Sequence, residues 1–141
     1  MSEKLHLAVE ANKNSIKFAM EGNKEAWLAL YTDDAVVCDP VGKSPFDPEG
    51  KGNCGKAAIE KFWDNVIGKA NLDIRVDKRW TSGDYCCCVA QVATNDLGNG
   101  MKTQCDMLAL YEVNEAGKIT RMAAHWSWDD MMDQLKELGL A

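Results

Sequence analysis

The sequence predicts an α+β fold in which three N-terminal helices pack on one face of a strongly curved, mainly antiparallel sheet, together enclosing a cone open at one end. Three observations carry this reading. Apolar residues recur every three to four positions in the helical segments before residue 70, and every second position after it. The later strands are joined by short turn-rich segments that suit hairpins rather than helical crossovers. At 141 residues the chain has room for one hydrophobic core, so 1–141 reads as a single domain.

The spacing of Leu5, Val9, Asn12, Ile16 and Ala19 predicts a helix over 3–20, ended by Gly22-Asn23. Asn23 is placed to cap a second helix over 24–31, with Ala26, Trp27, Leu30 and Tyr31 on its inner stripe. Thr32-Asp33-Asp34 closes that helix and leads into a short strand over 35–39. A loop holding all three prolines follows, and Asn53 then caps a third helix over 55–67, whose Ile59, Phe62, Trp63 and Val66 share a face.

In Leu72-Asp73-Ile74-Arg75-Val76-Asp77 apolar and charged residues alternate without exception, which predicts a strand with one buried face. Further strands are predicted over 84–94, 101–113 and 118–128, joined through Asn95-Asp96-Leu97-Gly98-Asn99-Gly100 and Asn114-Glu115-Ala116-Gly117. A last helix over 129–138 begins with acids that suit its N-terminal dipole and sets Met131, Leu135 and Leu138 on one side. The two later strands carry large apolar residues at both parities. The helices can cover only one face of the sheet, so a second subunit is the economical cover for the other, and a homodimer is expected.

Sixteen basic residues against twenty-two acidic ones give a formal charge of −6. This leaves no basic footprint for nucleic acid or an anionic membrane. The N-terminus lacks the basic start and apolar core of a signal peptide, and no stretch approaches the ~18 apolar residues of a membrane span, so a cytoplasmic protein is expected. Cys86, Cys87 and Cys88 are consecutive and alternate between strand faces, which reads as reduced, core-filling thiols rather than a disulfide framework. A metal site from Cys86, Cys88 and Cys105 would lack both a Cys-x-x-Cys pair and a nearby histidine. No metal and no cofactor is expected.

Asp39 stands where an apolar Val-Val strand breaks at Pro40. Proline restricts the preceding residue to extended conformations, so the carboxylate is aimed rather than free to swing. An Asp-Pro turn opener and a base at the mouth of a pocket both fit that local chemistry.

Residues 29–42, with Tyr31, Val36-Val37-Cys38-Asp39-Pro40-Val41-Gly42 at their core, resemble ketosteroid isomerases, within the superfamily of nuclear-transport-factor-2-like and polyketide-cyclase-like (SnoaL-like) cone folds. The resemblance extends over nearly the whole chain, including Gly55-Lys56-Ala57-Ala58-Ile59-Glu60-Lys61-Phe62-Trp63, Asn114-Glu115-Ala116-Gly117-Lys118-Ile119 and Met122-Ala123-Ala124-His125-Trp126. It implies that Asp39 is the general base. It also implies a ligand-binding set of Ser15, Tyr31, Trp63, Met107, Ala109, Tyr111, Met122, Ala124 and Trp126, with Trp126 a flat wall against a planar ligand. Such isomerases use a tyrosine and a protonated aspartic acid as oxyanion donors. By position these fall here on Ser15 and Ala109, while Asp106 lies at the opposite parity of the same strand. Loss of one such donor typically costs ~3 to 4 kcal/mol of transition-state stabilisation. Trp63 N–H, Tyr111 O–H and Ser15 O–H are the substitute donors in view.

Three functions are carried forward. The leading one is a ketosteroid-isomerase-like enzyme in which Asp39 abstracts a proton next to the carbonyl of a small apolar compound, steroid-like or polyketide-like. The second is a non-catalytic binding protein for small hydrophobic ligands, and the third is a hydrolase or dehydratase acting by water activation. The loop over 43–52 is read either as a lid whose Phe46 caps a ligand or as solvated surface. His125 is assigned to the outer face of the sheet, and His6 receives no role.

Overall fold

The computed structural model describes residues 5–141. The described elements are helices α1 (Leu7–Glu21) and α2 (Lys24–Leu28), strands β1 (Tyr31–Cys38) and β2 (Asn53–Cys54), and helix α3 (Lys56–Asn65). A single 3-10 turn, Ile67–Lys69, leads to strands β3 (Leu72–Ser82), β4 (Cys86–Gly98), β5 (Met101–Val113) and β6 (Ile119–His125), and to helix α4 (Trp128–Glu137). The six strands form one sheet in the order β2-β1-β6-β5-β4-β3, with β1 and β6 parallel and every other pair antiparallel. Helices pack on its concave face, as the alternating patterns require.

The long hairpin β4–β5 fixes which side chains face inward. Cys87, Val89 and Gln91 pair across with Tyr111, Ala109 and Met107 on the helix-covered side. Met122 and Ala124 of β6 continue those rows. From above, α1 contributes Ala8, Ala11, Asn12, Ser15 and Ile16, one face at three- to four-residue spacing. Register shifts between Val76 and Lys78 and between Glu112 and Val113 bend the sheet towards the helices.

Several boundaries differ from expectation, each for a tertiary reason. The start expected for α1 at residue 3 lies outside the described residues. Its described N-cap is His6, whose Nδ1 accepts from Val9 N at 3.4 Å while Nε2 donates to Gly83 O at 2.8 Å, so His6 ties the helix to the β3–β4 turn. Helix α2 stops at Leu28, because Ile119 N binds Leu30 O at 2.8 Å and Tyr31 pairs with Ile119, drawing the chain into the sheet. Thr32-Asp33-Asp34 is therefore strand, with Asp33 and Asp34 exposed where the β1–β6 register shifts.

Asn23 caps α2 as expected, accepting from Ala26 N at 3.2 Å. Asn53 does not cap α3; it sits in β2, where its Nδ2 donates to Val37 O, and Gly55 takes the cap position. Strands β3 and β4 run longer than the alternation suggested, since hairpin pairing continues through their polar ends. Strand β6 ends at His125, and Trp128 opens α4 instead of closing the strand, with Ser127 Oγ accepting from Asp130 N. Where β6 has ended, the side-chain amide of Gln134 on α4 takes its place, accepting from Gln104 N and donating to Gln104 O at 2.7 Å each. That clasp holds α4 over the mouth of the cone.

On the convex face, Trp80, Cys88, Leu110, Ala123 and Cys38 lie side by side across five strands in register. The next row is Lys78, Ala90, Leu108 and His125, in which Leu108 is 47% exposed. Outward parity for Leu108, Leu110 and His125 is thus as the alternation predicts.

Candidate functional site

A cavity of about 470 Å³ opens between the concave sheet, α1 and α4. Its walls are mostly apolar: Met107, Ala109, Met122 and Ala124 from the sheet, Trp126 from the residues just past β6, Ile16 and Ala19 from α1, and Met131, Met132 and Leu135 from α4. The polar groups that reach it are Asp39, Ser15, Tyr111, Gln91, Thr103 and Asn95. Few polar groups in an apolar bowl is the composition expected of a small-molecule site.

Asp39 reaches the cavity because β1 ends beside β6. Cys38 pairs with Ala123, and Val41 N returns to Ala124 O at 2.8 Å, which pins the chain on both sides of the cis Asp39-Pro40 peptide. Trp126 Nε1 donates to Asp39 Oδ1 at 2.5 Å. Burial raises the Asp39 pKa to about 6, against the opposing pull of the Trp126 hydrogen bond, which favours the charged form. Its residual exposure is into the cavity it lines. A carboxyl group near 6 is deprotonated at neutral pH yet basic enough to take a proton from an activated C–H.

On the α1 side lies a cluster of hydroxyls. Tyr111 Oη donates to Ser15 Oγ at 3.1 Å. Burial pushes the Tyr111 pKa up, opposed by hydrogen bonding from Ser15 and Asn12. Tyr31, expected in the cavity wall, stands behind it: its ring packs tilted against Trp27 with centroids 4.8 Å apart, and Trp63 packs tilted against the same indole at 5.1 Å. Trp27 lines the cavity in their stead. The reason is the chain path, which turns Tyr31 into β1 and Trp63 onto the inner face of α3, with Trp27 between them and the cavity. Tyr31 Oη is buried with no partner at hydrogen-bonding geometry among the described residues. Burial holds its pKa well above the usual value, with Tyr111 and Asp39 adding to the rise and the neighbouring Ser15 hydroxyl opposing it. Trp63 N–H is accordingly no donor to a ligand in this arrangement.

Ala109 presents only a methyl group, so the cavity has no carboxylic acid at the position of the isomerase donor. Asp106 is exposed on the opposite face, accepting from Gln104 Nε2, as its parity requires. Cys105 faces the cavity, but burial, together with Asp39 and Asp106, pushes its thiol up to about 12, which disqualifies it as a nucleophile at neutral pH. Cys86 and Cys88 share the parity of the convex face while Cys105 faces the cavity, so the sheet itself separates Cys105 from the other two. Among the described residues no cluster of three metal-ligating side chains occurs, and no helix is long and apolar enough to cross a membrane.

At the rim, Phe46 of the 43–52 loop lines the cavity and meets Trp128 edge-on at 5.6 Å. The loop is braced by Asp47, whose Oδ2 accepts from Gly52 N at 2.8 Å. Sequence reasoning missed the α4 contribution and Gln91. The signal for Gln91 was its inward parity as a lone amide between Val89 and Ala93; none existed for the docking of α4.

Residues 15–122 match the family model described as a SnoaL-like domain. Among solved structures the chain is similar to RV0760c from Mycobacterium tuberculosis, with 30% identity, a TM-score of 0.85, and coverage of 91% of this chain and 96% of that one. The same protein in complex with estradiol-17beta-hemisuccinate matches with 31% identity and a TM-score of 0.82, over 89% of this chain and 97% of that one. Delta 5-3-ketosteroid isomerase from Mycobacterium sp. matches with 32% identity and a TM-score of 0.82, covering 89% and 96%. With its helices packed on a six-stranded curved sheet, this chain belongs to the SnoaL-like domain family of the nuclear-transport-factor-2-like superfamily.

Proposed function

We propose that this protein is a ketosteroid-isomerase-like enzyme in which Asp39 moves a proton next to the carbonyl of a small apolar substrate, steroid-like or polyketide-like. The observation that carries the reading is Asp39 itself: a cavity-lining carboxyl group, aimed by Trp126, with its pKa raised to about 6 in an apolar bowl of about 470 Å³. At neutral pH the carboxylate takes the proton, and the flat indole of Trp126 supports a planar substrate beside it. Asp39 is the catalytic residue of this reading. Ser15, Met107, Ala109, Tyr111, Met122, Ala124 and Trp126 form the ligand-binding wall, with Tyr31 and Trp63 supporting it from behind. The reading needs no metal and no cofactor. It includes a homodimer joined through the convex face, and six unpaired thiols that suit a reducing, cytoplasmic setting.

A second reading, a binding protein without chemistry, is favoured by one observation: Ala109 and Ser15 replace the two donors that isomerases use. Turnover of a β,γ-unsaturated ketone by the wild type and by Asp39→Asn separates the two. The enzyme reading expects turnover in the wild type and a fall of ~10²-fold or more in the variant. Negligible turnover in both assigns the cavity to binding alone.

A further inference from the structure

A line of polar side chains runs from the edge of the cone into the cavity. Arg79 Nε donates to Asn12 Oδ1 at 2.9 Å, and Asn12 Nδ2 donates to Gln91 Oε1 at 3.4 Å. Gln91 Nε2 then faces Met107 Sδ at 3.4 Å, inside the cavity that both residues line. Asn12 is fully buried and Gln91 is 6% exposed. Arg79 pairs with no carboxylate among the described residues, so no partner charge cancels its own.

Every donor in this line points the same way, from the cation towards the cavity. An amide whose oxygen accepts a hydrogen bond becomes a better donor at its nitrogen, so the chain delivers part of the Arg79 charge to the Gln91 NH₂ group. That group has two protons to give. Its neighbour in the cavity, a thioether sulfur, is a weak acceptor that a carbonyl oxygen outcompetes. A buried amide aimed into an apolar cavity, with a fully buried asparagine behind it, is more than core packing requires, because apolar residues would fill the same volume without two desolvated polar side chains.

We propose that Gln91 is the donor that receives an electron-rich oxygen of the ligand, a ketone or enolate-type oxygen, with Asn12 and Arg79 as positioning residues that aim and polarise it. This inference deepens the proposed function and rests on it for the ligand class. It gives the cavity a donor other than Ser15 and Tyr111 where Ala109 offers none. It also constrains the ligand's shape. Asp39 follows β1 and Gln91 lies on β4, three strand spacings apart, about 14 Å along the backbone of the sheet and less between side chains on its concave side. A ligand touching both is a planar compound that spans the concave floor between them, with its carbonyl oxygen towards Gln91 and the carbon next to that carbonyl towards Asp39.

The test is a matched pair of probes, 2-acetylnaphthalene and 2-isopropenylnaphthalene, which share a shape and differ in a carbonyl oxygen against a methylene group. Their dissociation constants are measured on the full chain, and the readout is the ketone-to-alkene affinity ratio. Gln91→Leu should lower that ratio by about tenfold, the worth of one hydrogen bond of this kind. Arg79→Met, which leaves the cavity lining untouched, should lower it by about threefold. A purely structural role would weaken both probes together and leave the ratio unchanged. An unchanged ratio in a folded Gln91→Leu variant overturns the proposal. Should that variant fail to fold, Arg79→Met decides alone: a lowered ratio supports the relay and an unchanged one overturns it. The ratio needs no turnover, so its outcome is separate from that of the Asp39→Asn comparison.

Discussion

The indole Nε1 of Trp126 donates to Asp39 Oδ1 at 2.5 Å, so one side chain is both the flat wall of the cavity and a group that moderates the acidity of its carboxylate. The hydrogen bond opposes the larger effect of burial, and the balance leaves Asp39 near 6. Without it, the charged form loses about 1.5 kcal/mol or more, the usual worth of a hydrogen bond to a charged group.

Trp126→Phe should therefore raise the Asp39 pKa by about one unit while keeping an aromatic wall. On the enzyme reading, wild-type turnover should climb through a midpoint near pH 6 and level off above it, because the proposed base acts in its deprotonated form. In the variant the midpoint should move upward, with a similar plateau at high pH. A midpoint that stays put would detach Trp126 from the control of Asp39.

The same raised pKa has a stability consequence with a definite sign. A carboxyl group whose folded pKa lies above its unfolded value binds its proton more tightly in the folded state. Its contribution is fully present below about pH 4 and is lost as pH rises through about 6. From 3.8 to about 6 the loss amounts to at most about 3 kcal/mol. Asp39→Asn removes the buried charge while leaving an acceptor for Trp126, so it should raise the melting temperature at pH 8 and change it little at pH 4. Thermal melts at the two pH values check this, and equal shifts at both would contradict it.

Much of this site was legible in the sequence, for reasons that differ from residue to residue. Asp39 was readable through the resemblance of residues 29–42 to ketosteroid isomerases, since the Asp-Pro break by itself fits a turn opener equally well. Met107, Ala109, Tyr111, Met122 and Ala124 were implied by the same resemblance, and the hairpin register, which preserves strand parity, keeps them on one face of the sheet. Tyr31 was misplaced because Leu30 and Tyr31 continue the helical stripe of α2, and only pairing with Ile119, far along the chain, makes them strand. The position of α4 could not be read at all. Its stripe marks an amphipathic helix, but the clasp of Gln134 on Gln104 depends on where β6 ends. The Arg79–Asn12–Gln91 line joins three elements and leaves no local trace.

The six thiols give a graded chemical test of the fold. Cys54 is exposed, Cys38 and Cys87 are buried, and burial pushes Cys87 up to about 11 and Cys105 up to about 12. In the native protein an aromatic disulfide reagent at pH 8 should react with Cys54 first and with Cys87 and Cys105 last. After unfolding without reductant, all six should react. Fast native reaction at Cys105 would mean that the cavity thiol is far more ionised than its surroundings allow.

The convex face makes the last prediction. Trp80, Cys88, Leu110, Ala123 and Cys38 form an unbroken apolar row across five strands, and the neighbouring row adds Ala90 and Leu108. Trp80 is 44% exposed and Leu108 47% exposed, with Leu108 near the middle of the patch. A second copy of the same face would remove the remaining exposed part of this area from water, each half-exposed leucine or tryptophan gaining on the order of 1 kcal/mol, about half the value for full burial. Sedimentation equilibrium at micromolar concentration should therefore give twice the chain mass. Leu108→Lys places a charge in each half of a symmetric contact, opposite or close to its own copy, where burial without a partner is strongly unfavourable. That variant should sediment as a monomer with an unchanged far-ultraviolet spectrum, since Leu108 points away from the core. A wild-type protein that stays monomeric at these concentrations, or a Leu108→Lys variant that still dimerises, would remove the convex face as the interface.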